Sequence, residues 1–431
     1  MPATEQVSLV RAIGRWSLVA LVVNSIIGSG IFGLPADVAR LIGRASPWAV
    51  LVAGAAASVV MACFAEVASQ FDRAGGPYLY ARAAFGRLVG IEVGWMLWLV
   101  RLAAPAATAD LFVVYCGEFW PHAKDPLPRF LTLTFLYGLL TVINYRGVRA
   151  STRVSNIFTV AKLVPLFLVA AAGMVYLFAG HGAPPLPVSH PSTSSWLKAA
   201  LLLVFAYGGF ETAITPLSEA KDPRRDAAFA LFMALVTCTL LYSAIQWVVV
   251  GILPDPAHSE RPLADVARFA LGHGGAAFVS AGALISVYGY LSANMLGVPR
   301  ITFALAENGD FPAIFAAIHP RFRTPYVSIL AFAGLSWLLA LFGNFTWNAT
   351  LSAVARLFYY GLVCAALPVF RSRQPEAARF RLAGGTYFAV LGAMICLALM
   401  AGVNLSGSLI LFSTALVAGL NWWLVRERAA A

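Results

Sequence analysis

Stretches of some twenty apolar residues follow one another along this chain from residue 16 to residue 425, parted only by short breaks rich in Pro, Gly or Arg. Backbone inside hydrocarbon has no water to bond to, so such stretches fold as helices, each of ~20 residues to cross a ~30 Å core. Twelve can be read: 16–42, 48–70, 88–116, 130–145, 154–178, 196–218, 227–253, 276–305, 326–342, 347–370, 386–403 and 409–425. With 60% hydrophobic and only 11% charged residues, the chain reads as an all-α, polytopic membrane protein.

The net charge of +11 does not point to nucleic acid, because the basic residues are dispersed over short loops rather than gathered on one patch. They concentrate on alternate loops, at Arg146, Arg149 and Arg153, at Lys221, Arg224 and Arg225, and at Arg371, Arg373, Arg379 and Arg381. That is the positive-inside pattern, and it puts both termini in the cytoplasm. The first stretch lacks a small-residue cleavage site, so it is expected to stay in the mature protein. The excess of Arg over Lys, with abundant Ala, suggests a bacterial inner membrane. Five cysteines form no CxxC pair and six histidines fall in loops or at span edges. Neither a metal site, a cofactor nor an enzyme's cluster of nucleophile and base is therefore expected.

Two of the twelve stretches are interrupted. The first carries VNSIIGSGIFGLP (23–35), with Gly28, Gly30, Gly33 and Pro35 where a helix should be continuous, and the sixth carries LLLVFAYGGFETAITPLSEAKDP (201–223), with Gly208 and Gly209. Glycine costs roughly 1 kcal/mol in a helix interior relative to alanine. Small residues also allow close helix packing, which is the simpler explanation of either cluster alone. Two clusters at matching positions of two halves point instead to an inverted-repeat transporter. Five crossings separate them, so they run in opposite directions. The Pro- and Ser-rich GHGAPPLPVSHPSTSS (180–195) marks the boundary, giving repeats at 1–180 and 181–371 and a remainder, 372–431, that adds two spans.

Broken helices supply chemistry. Where the first unwinds at Gly28, Ser29 and Gly30, the second half-helix starts with free N–H groups and the positive end of a dipole, which suits a carboxylate. Where the sixth breaks at Tyr207, Gly208 and Gly209, carbonyls at the end of a half-helix suit an ammonium.

Five segments in this order make the chain similar to the amino acid–polyamine–organocation (APC) superfamily, in its amino acid permease branch. They are Gly28-Ser29-Gly30-Ile31-Phe32, FAEVASQFDRAGGPYLY (64–80), SNIFTVAKLVP (155–165), FAYGGFE (205–211) and PRITFALAENGDFP (299–312). The resemblance implies a LeuT-type 5+5 inverted repeat plus two helices, with the first and sixth unwound in mid-membrane. It implies a substrate site at Ile27, Gly28, Ser29, Gly30, Phe205, Ala206, Tyr207 and Gly208, with Phe205 as a gate. A packing role for Phe205 is the plainer alternative. Ile27 and Gly208 are expected to shape the side-chain pocket, and Ser286 and Tyr288 are weaker candidates to line it.

Lys162 lies eight residues into its span, on a stripe with Thr159 and Asn156. A lysine at that depth is costly and usually functional, although its long stem can also snorkel outward. In the family the matching lysine occupies the place of bound sodium, tying the first and eighth spans to the fifth. It is therefore the candidate for coupling, including proton release. Arg101 and Arg356 lie deep in the third and tenth spans, and no general family motif requires them. Arg101 shares a face with Ala104, Pro105 and Thr108, whereas Glu92 and Asp110 fall opposite. Glu211 is the nearest carboxylate in prospect, making Arg101, Glu211 and Arg356 an intramembrane charge network. An unpaired Arg101 would favour an acidic side chain; pairing with Glu211, the expected arrangement, would leave the substrate neutral. Glu66, Asp72, Arg73, Lys221, Asp222, Arg224 and Arg225 read as solvated helix ends, some of them ion pairs of a cytoplasmic gate.

The sequence thus predicts a secondary transporter that moves an amino acid through a lipid bilayer by alternating access, with proton coupling favoured over exchange. A sodium-coupled symporter is the rival, against which Lys162 counts. A non-transporting receptor would need an output domain for which neither terminus offers length. The oligomeric state is not legible.

Overall fold

Among the residues described by the structure, a computed structural model, there are helices and short 3₁₀ turns but no strand. These residues are 14–71, 76–147, 152–183, 191–213, 223–374, 378–403 and 405–426. The first apolar stretch is two helices, α1 (Arg15–Ile26) and α2 (Gly30–Ile42). The next elements are α3 (Ser46–Ala68), the short α4 (Gly76–Phe85), α5 (Arg87–Cys116), α6 (Pro126–Tyr145) and α7 (Thr152–Phe178). The sixth stretch is again divided, into α8 (Thr193–Tyr207) and α9 (Phe210–Ala213). Then come α10 (Pro223–Ile252), α11 (Pro262–Glu307), α12 (Tyr326–Phe342), α13 (Phe345–Arg373), α14 (Gly385–Met400) and α15 (Leu405–Arg426). α11 is interrupted at Gly272, whose φ of 74° is open to glycine and strained for other residues.

Seven helical stretches among the described residues are long and apolar enough to cross a membrane. That is fewer than the twelve spans read from the sequence. Glycines cut the first and sixth stretches, α2 and α3 run on through a 3₁₀ turn as one stretch, α12 and α14 stop at 17 and 16 residues, and only Lys162–Phe178 of α7 is described with its side chains.

Burial separates a centre from a periphery. In α5, 72% of the most apolar window is buried inside the protein, against 17% in α15. α15 turns Leu409, Phe412, Leu416 and Leu420 outward, a face that only lipid tails cover at no cost. α5 packs against α13, α11 and α12; α3 packs against α10, α8 and α14; α2 packs against α8. α13, whose most apolar window is 67% buried, packs against α8 and α2 of the two divided stretches.

Each end of the bundle is tied by buried carboxylates. At one end Asp310, fully buried, accepts from Arg87 Nε at 3.0 Å and from Arg82 and Tyr78, while its carbonyl accepts from Asn421 Nδ2 at 2.8 Å. Burial first, then the Asp310 carboxylate, pushes the Tyr78 phenol up to about 12, so it remains a donor. Glu66, expected at a solvated helix end, is instead wholly buried: Arg371 grips it through Nε and Nη2, each at 2.7 Å, and the Leu382 N–H donates to it at 2.8 Å. The reason is that the turn into α14 folds back over the end of α3. Asp72, Arg73, Lys221 and Asp222, and the side chains of Arg224 and Arg225, lie outside the described residues. At the other end Asp37 joins Arg40 and Thr346, and Glu118 joins Arg268.

Candidate functional site

The chain leaves α1 at Ile27, whose ψ of 99° is extended, and resumes helix at Gly30. Phe32 and Gly33 donate their N–H groups to Ser29 O at 3.1 Å. The N–H groups of Gly28, Ser29 and Gly30 find no acceptor among the described residues, which is what a helix start leaves over. The carbonyls at the end of α1 are provided for. Lys162 Nζ donates to Ile27 O at 2.7 Å and also to Asn24 O, and Tyr242 donates to Ile26 O at 3.2 Å. Ser29 bonds Thr108 through their hydroxyls at 2.8 Å, and Thr108 donates onward to Ala104 O.

At the second break α8 ends at Tyr207, and Gly209 takes a φ of +107° with its α-carbon facing Ser25 O. A β-carbon there would lie 2.3 Å from that oxygen, so glycine is required twice over. Gly30 lies against Ala206 in the same way, where an added β-carbon would sit 3.0 Å from its Cα. The two breaks therefore touch.

Between them lies a cavity of about 60 Å³ whose wall includes Gly28, Ser29, Gly30, Phe205 and Gly208 from the predicted site. Ile27, Ala206 and Tyr207 are not on that wall: Ile27 presents its carbonyl to Lys162, and the Tyr207 hydroxyl donates to Val50 O at 2.9 Å. Ser286 and Tyr288 are also off it, whereas Tyr290, one helical turn beyond Ser286, is on it. The Phe205 ring meets Phe345 edge-on at 6.1 Å, and Phe345 covers Gly33.

Arg101, Glu211 and Arg356 all line the same cavity. The expected pairing of Glu211 with Arg101 is not found. Arg356 Nε donates to Glu211 Oε1 at 3.3 Å, joined there by the Tyr359 hydroxyl at 3.0 Å, while Oε2 accepts from the Tyr360 hydroxyl at 3.0 Å and the Gly209 N–H at 2.8 Å. Glu211 emerges from the break facing α13, so that helix reaches it first. Arg101 makes no hydrogen bond or ion pair with a described residue. Asp110, on its opposite face as expected, is held by Arg129 at 2.8 Å.

Residues 13–421 match the amino acid permease family. The chain belongs to that family. The permease is 28% identical over 412 residues to the branched-chain amino acid permease BcaP of Bacillus subtilis, covering 91% of this chain and 88% of that one. It is also 28% identical over 410 residues to the methylthioribose transporter of the same organism, covering 90% and 88%. With the vacuolar cationic amino acid transporter 4 of Arabidopsis thaliana it shares 29% identity over 390 residues, covering 85% of this chain and 64% of the plant protein. The permease is a multi-pass membrane transporter; among the described residues its Lys162 bonds first-stretch carbonyls, and α7 packs against α11. The side chains of Thr159 and Asn156 lie outside the described residues.

Tyr359 and Tyr360 did not emerge from the sequence reading. The signal was present, since Arg356, Tyr359 and Tyr360 stand at i, i+3 and i+4 of one helix, a single face turned to one carboxylate.

Proposed function

We propose that the permease carries an amino acid across a bacterial inner membrane by alternating access, as a twelve-span, LeuT-type protein with both termini cytoplasmic. Joining α1 to α2 and α8 to α9 as interrupted spans, and setting aside α4, which at ten residues is too short to cross, gives the twelve. Residues 1–180 and 181–371 then form the inverted repeats, and 372–431 is the added pair.

The observation that carries this reading is the meeting of two helix breaks at one cavity. The α2 start offers unbonded N–H groups to a carboxylate, with the dipole of a 13-residue helix behind them. The end of α8 offers backbone carbonyl groups to an ammonium. Gly28, Ser29 and Gly30 bind the first charge; Phe205 and Gly208 frame the second on the cavity wall, with Ala206 and Tyr207 holding the end of α8 behind them. Ile27 bounds the pocket through its backbone. At about 60 Å³ the cavity has room for a few waters, so substrate entry requires the two breaks to part, and Phe205 on Phe345 is the gate that moves.

Lys162 favours sodium independence. Its ammonium already occupies two carbonyls at the end of α1, oxygen atoms of the kind a sodium ion would need. Proton coupling through Lys162 is preferred over exchange because a buried ammonium whose surroundings change between states binds its proton differently in each. No chemistry on a bound substrate is called for, and the protein is read as a carrier rather than an enzyme.

Counterflow into proteoliposomes with a panel of labelled amino acids tests the reading. Accumulation of at least one amino acid without sodium is expected. Uptake that requires sodium would overturn the coupling, and binding without exchange would leave a receptor.

A further inference from the structure

The charges on the cavity wall do not balance. Two guanidinium groups, Arg101 and Arg356, face one carboxylate, Glu211. Arginine keeps its proton under all physiological conditions, so the excess positive charge cannot be shed.

Glu211 acts on Arg101 through its charge but has no hydrogen bond left for it, because each of its oxygens already accepts from two donors. Asp110 is taken by Arg129 on the far side of α5. Arg356, buried to 6% exposure, uses Nε on Glu211, yet its Nη1 is buried with no hydrogen-bond partner. That edge lies over Gly208, where a β-carbon would come within 2.4 Å of Nη1. Glycine is thus the residue that lets the guanidinium lie across the break, at the wall of the cavity, with its Cζ 5.8 Å from the centre of the Phe205 ring. A buried donor left bare is unfavourable, and more so when it is charged. The zwitterion of a neutral amino acid brings equal and opposite charges, both matched by the helix ends, and leaves the imbalance untouched.

We propose that Arg101 and the free edge of Arg356 form an anion subsite, and that the transported substrate is an acidic amino acid whose side-chain carboxylate they bind. This rests on reading the cavity as the amino acid site. The α-carboxylate takes the start of α2, the ammonium takes the carbonyls at the end of α8, and the second carboxylate cancels the remaining charge. A cationic side chain would meet like charge at the same place and is excluded.

The test is competition in counterflow by the reconstituted full-length protein, with labelled aspartate and, separately, labelled leucine as reporters. Aspartate, glutamate, asparagine, glutamine, leucine and arginine are the competitors. The amides match the acids in shape and lack only the charge. Aspartate or glutamate is expected to compete at least ~10-fold better than its amide, and Arg101→Ala to erase that ratio. Amides or leucine competing as well as the acids in the wild type would overturn the subsite while keeping an amino acid carrier. The subsite is equally overturned if Arg101→Ala weakens acids and amides alike, since Arg101 would then act on the common α-carboxylate or on the fold. Should no amino acid exchange, the amino acid site itself falls and the subsite with it. If Arg101→Ala does not fold, the wild-type ratio of acid to amide decides alone.

Discussion

The two helix breaks are clamped alike in position and differently in chemistry. At the first, Lys162 from α7 holds the end of α1 by its backbone carbonyls; at the second, Arg356 from α13 holds the start of α9 by the Glu211 carboxylate. In the proposed repeat each clamp comes from the last helix of its half and grips the first. The ammonium is committed to one place, because it is compact and gives two of its three donors to neighbouring neutral carbonyls. The guanidinium is not, because its donors fan out in a plane. One edge fastens the break and the other is left for a ligand. A clamp built on a charge pair can therefore serve recognition as well, which one built on backbone dipoles does not.

Removing the carboxylate should break that contrast most severely. Glu211→Gln leaves two guanidinium groups without a counter-ion and is expected to cost roughly 3–5 kcal/mol and to abolish exchange. Thermal unfolding in detergent measures it. The second clamp is not a charge pair if Glu211→Gln melts with the wild type. Glu211→Gln combined with Arg356→Met removes both charges and should recover most of the stability without recovering transport.

Lys162→Met should cost less, about 1–3 kcal/mol for the buried carbonyls of Asn24 and Ile27 left bare. Its sharper readout is coupling. With a pH gradient and no sodium, the wild type is expected to take up substrate against its gradient and Lys162→Met to exchange without net accumulation. If Lys162→Met still accumulates substrate in response to pH, the first clamp is structural only.

How much of this was legible follows from where the determinants lie. Gly28, Gly30, Gly208 and Gly209 announced the breaks because glycine is a local, one-dimensional signal in an apolar run. Asp110 was rightly set on the face away from Arg101 because helix periodicity is local too. The partner of Glu211 was not legible: Arg101 and Arg356 lie 110 and 145 residues away, and only packing selects between them. Glu66 was misjudged for the same reason, its cover being supplied by residues some 300 positions later. Tyr290 was missed by one step on α11, where Ser286 was named on the right face but a turn too early.

Gly208→Ala probes the second clamp without removing charge. Its methyl would meet the Arg356 guanidinium at 2.4–2.7 Å, and Arg356 must shift while its pair with Glu211 persists. Overpacking of this kind typically costs 1–3 kcal/mol, so a loss of about 1 kcal/mol is expected because a long side chain can give way. Affinity for the acidic substrate should fall ~10-fold, with neutral competitors less affected. Equal loss for both would mean that Gly208 serves the backbone of the break rather than the arginine edge.

The mildest change lies at the first break and separates its two glycines. A methyl on Gly30 would press on Ala206 Cα at 3.0 Å and on the Phe205 ring at 3.3 Å, so Gly30→Val confounds binding with folding. A methyl on Gly28 would meet only Ile26 O, at 3.9 Å, and Gly28 is on the cavity wall. Gly28→Ala should leave the melting temperature unchanged or raise it, since alanine trims the unfolded ensemble by ~0.4–1 kcal/mol where the backbone permits it. The same methyl takes up space beside the unbonded N–H groups, so substrate-induced stabilisation in the melt should shrink. Undiminished stabilisation by substrate in Gly28→Ala would move the carboxylate away from the start of α2, and the first break would then be a hinge clamped by Lys162 rather than a wall of the binding site.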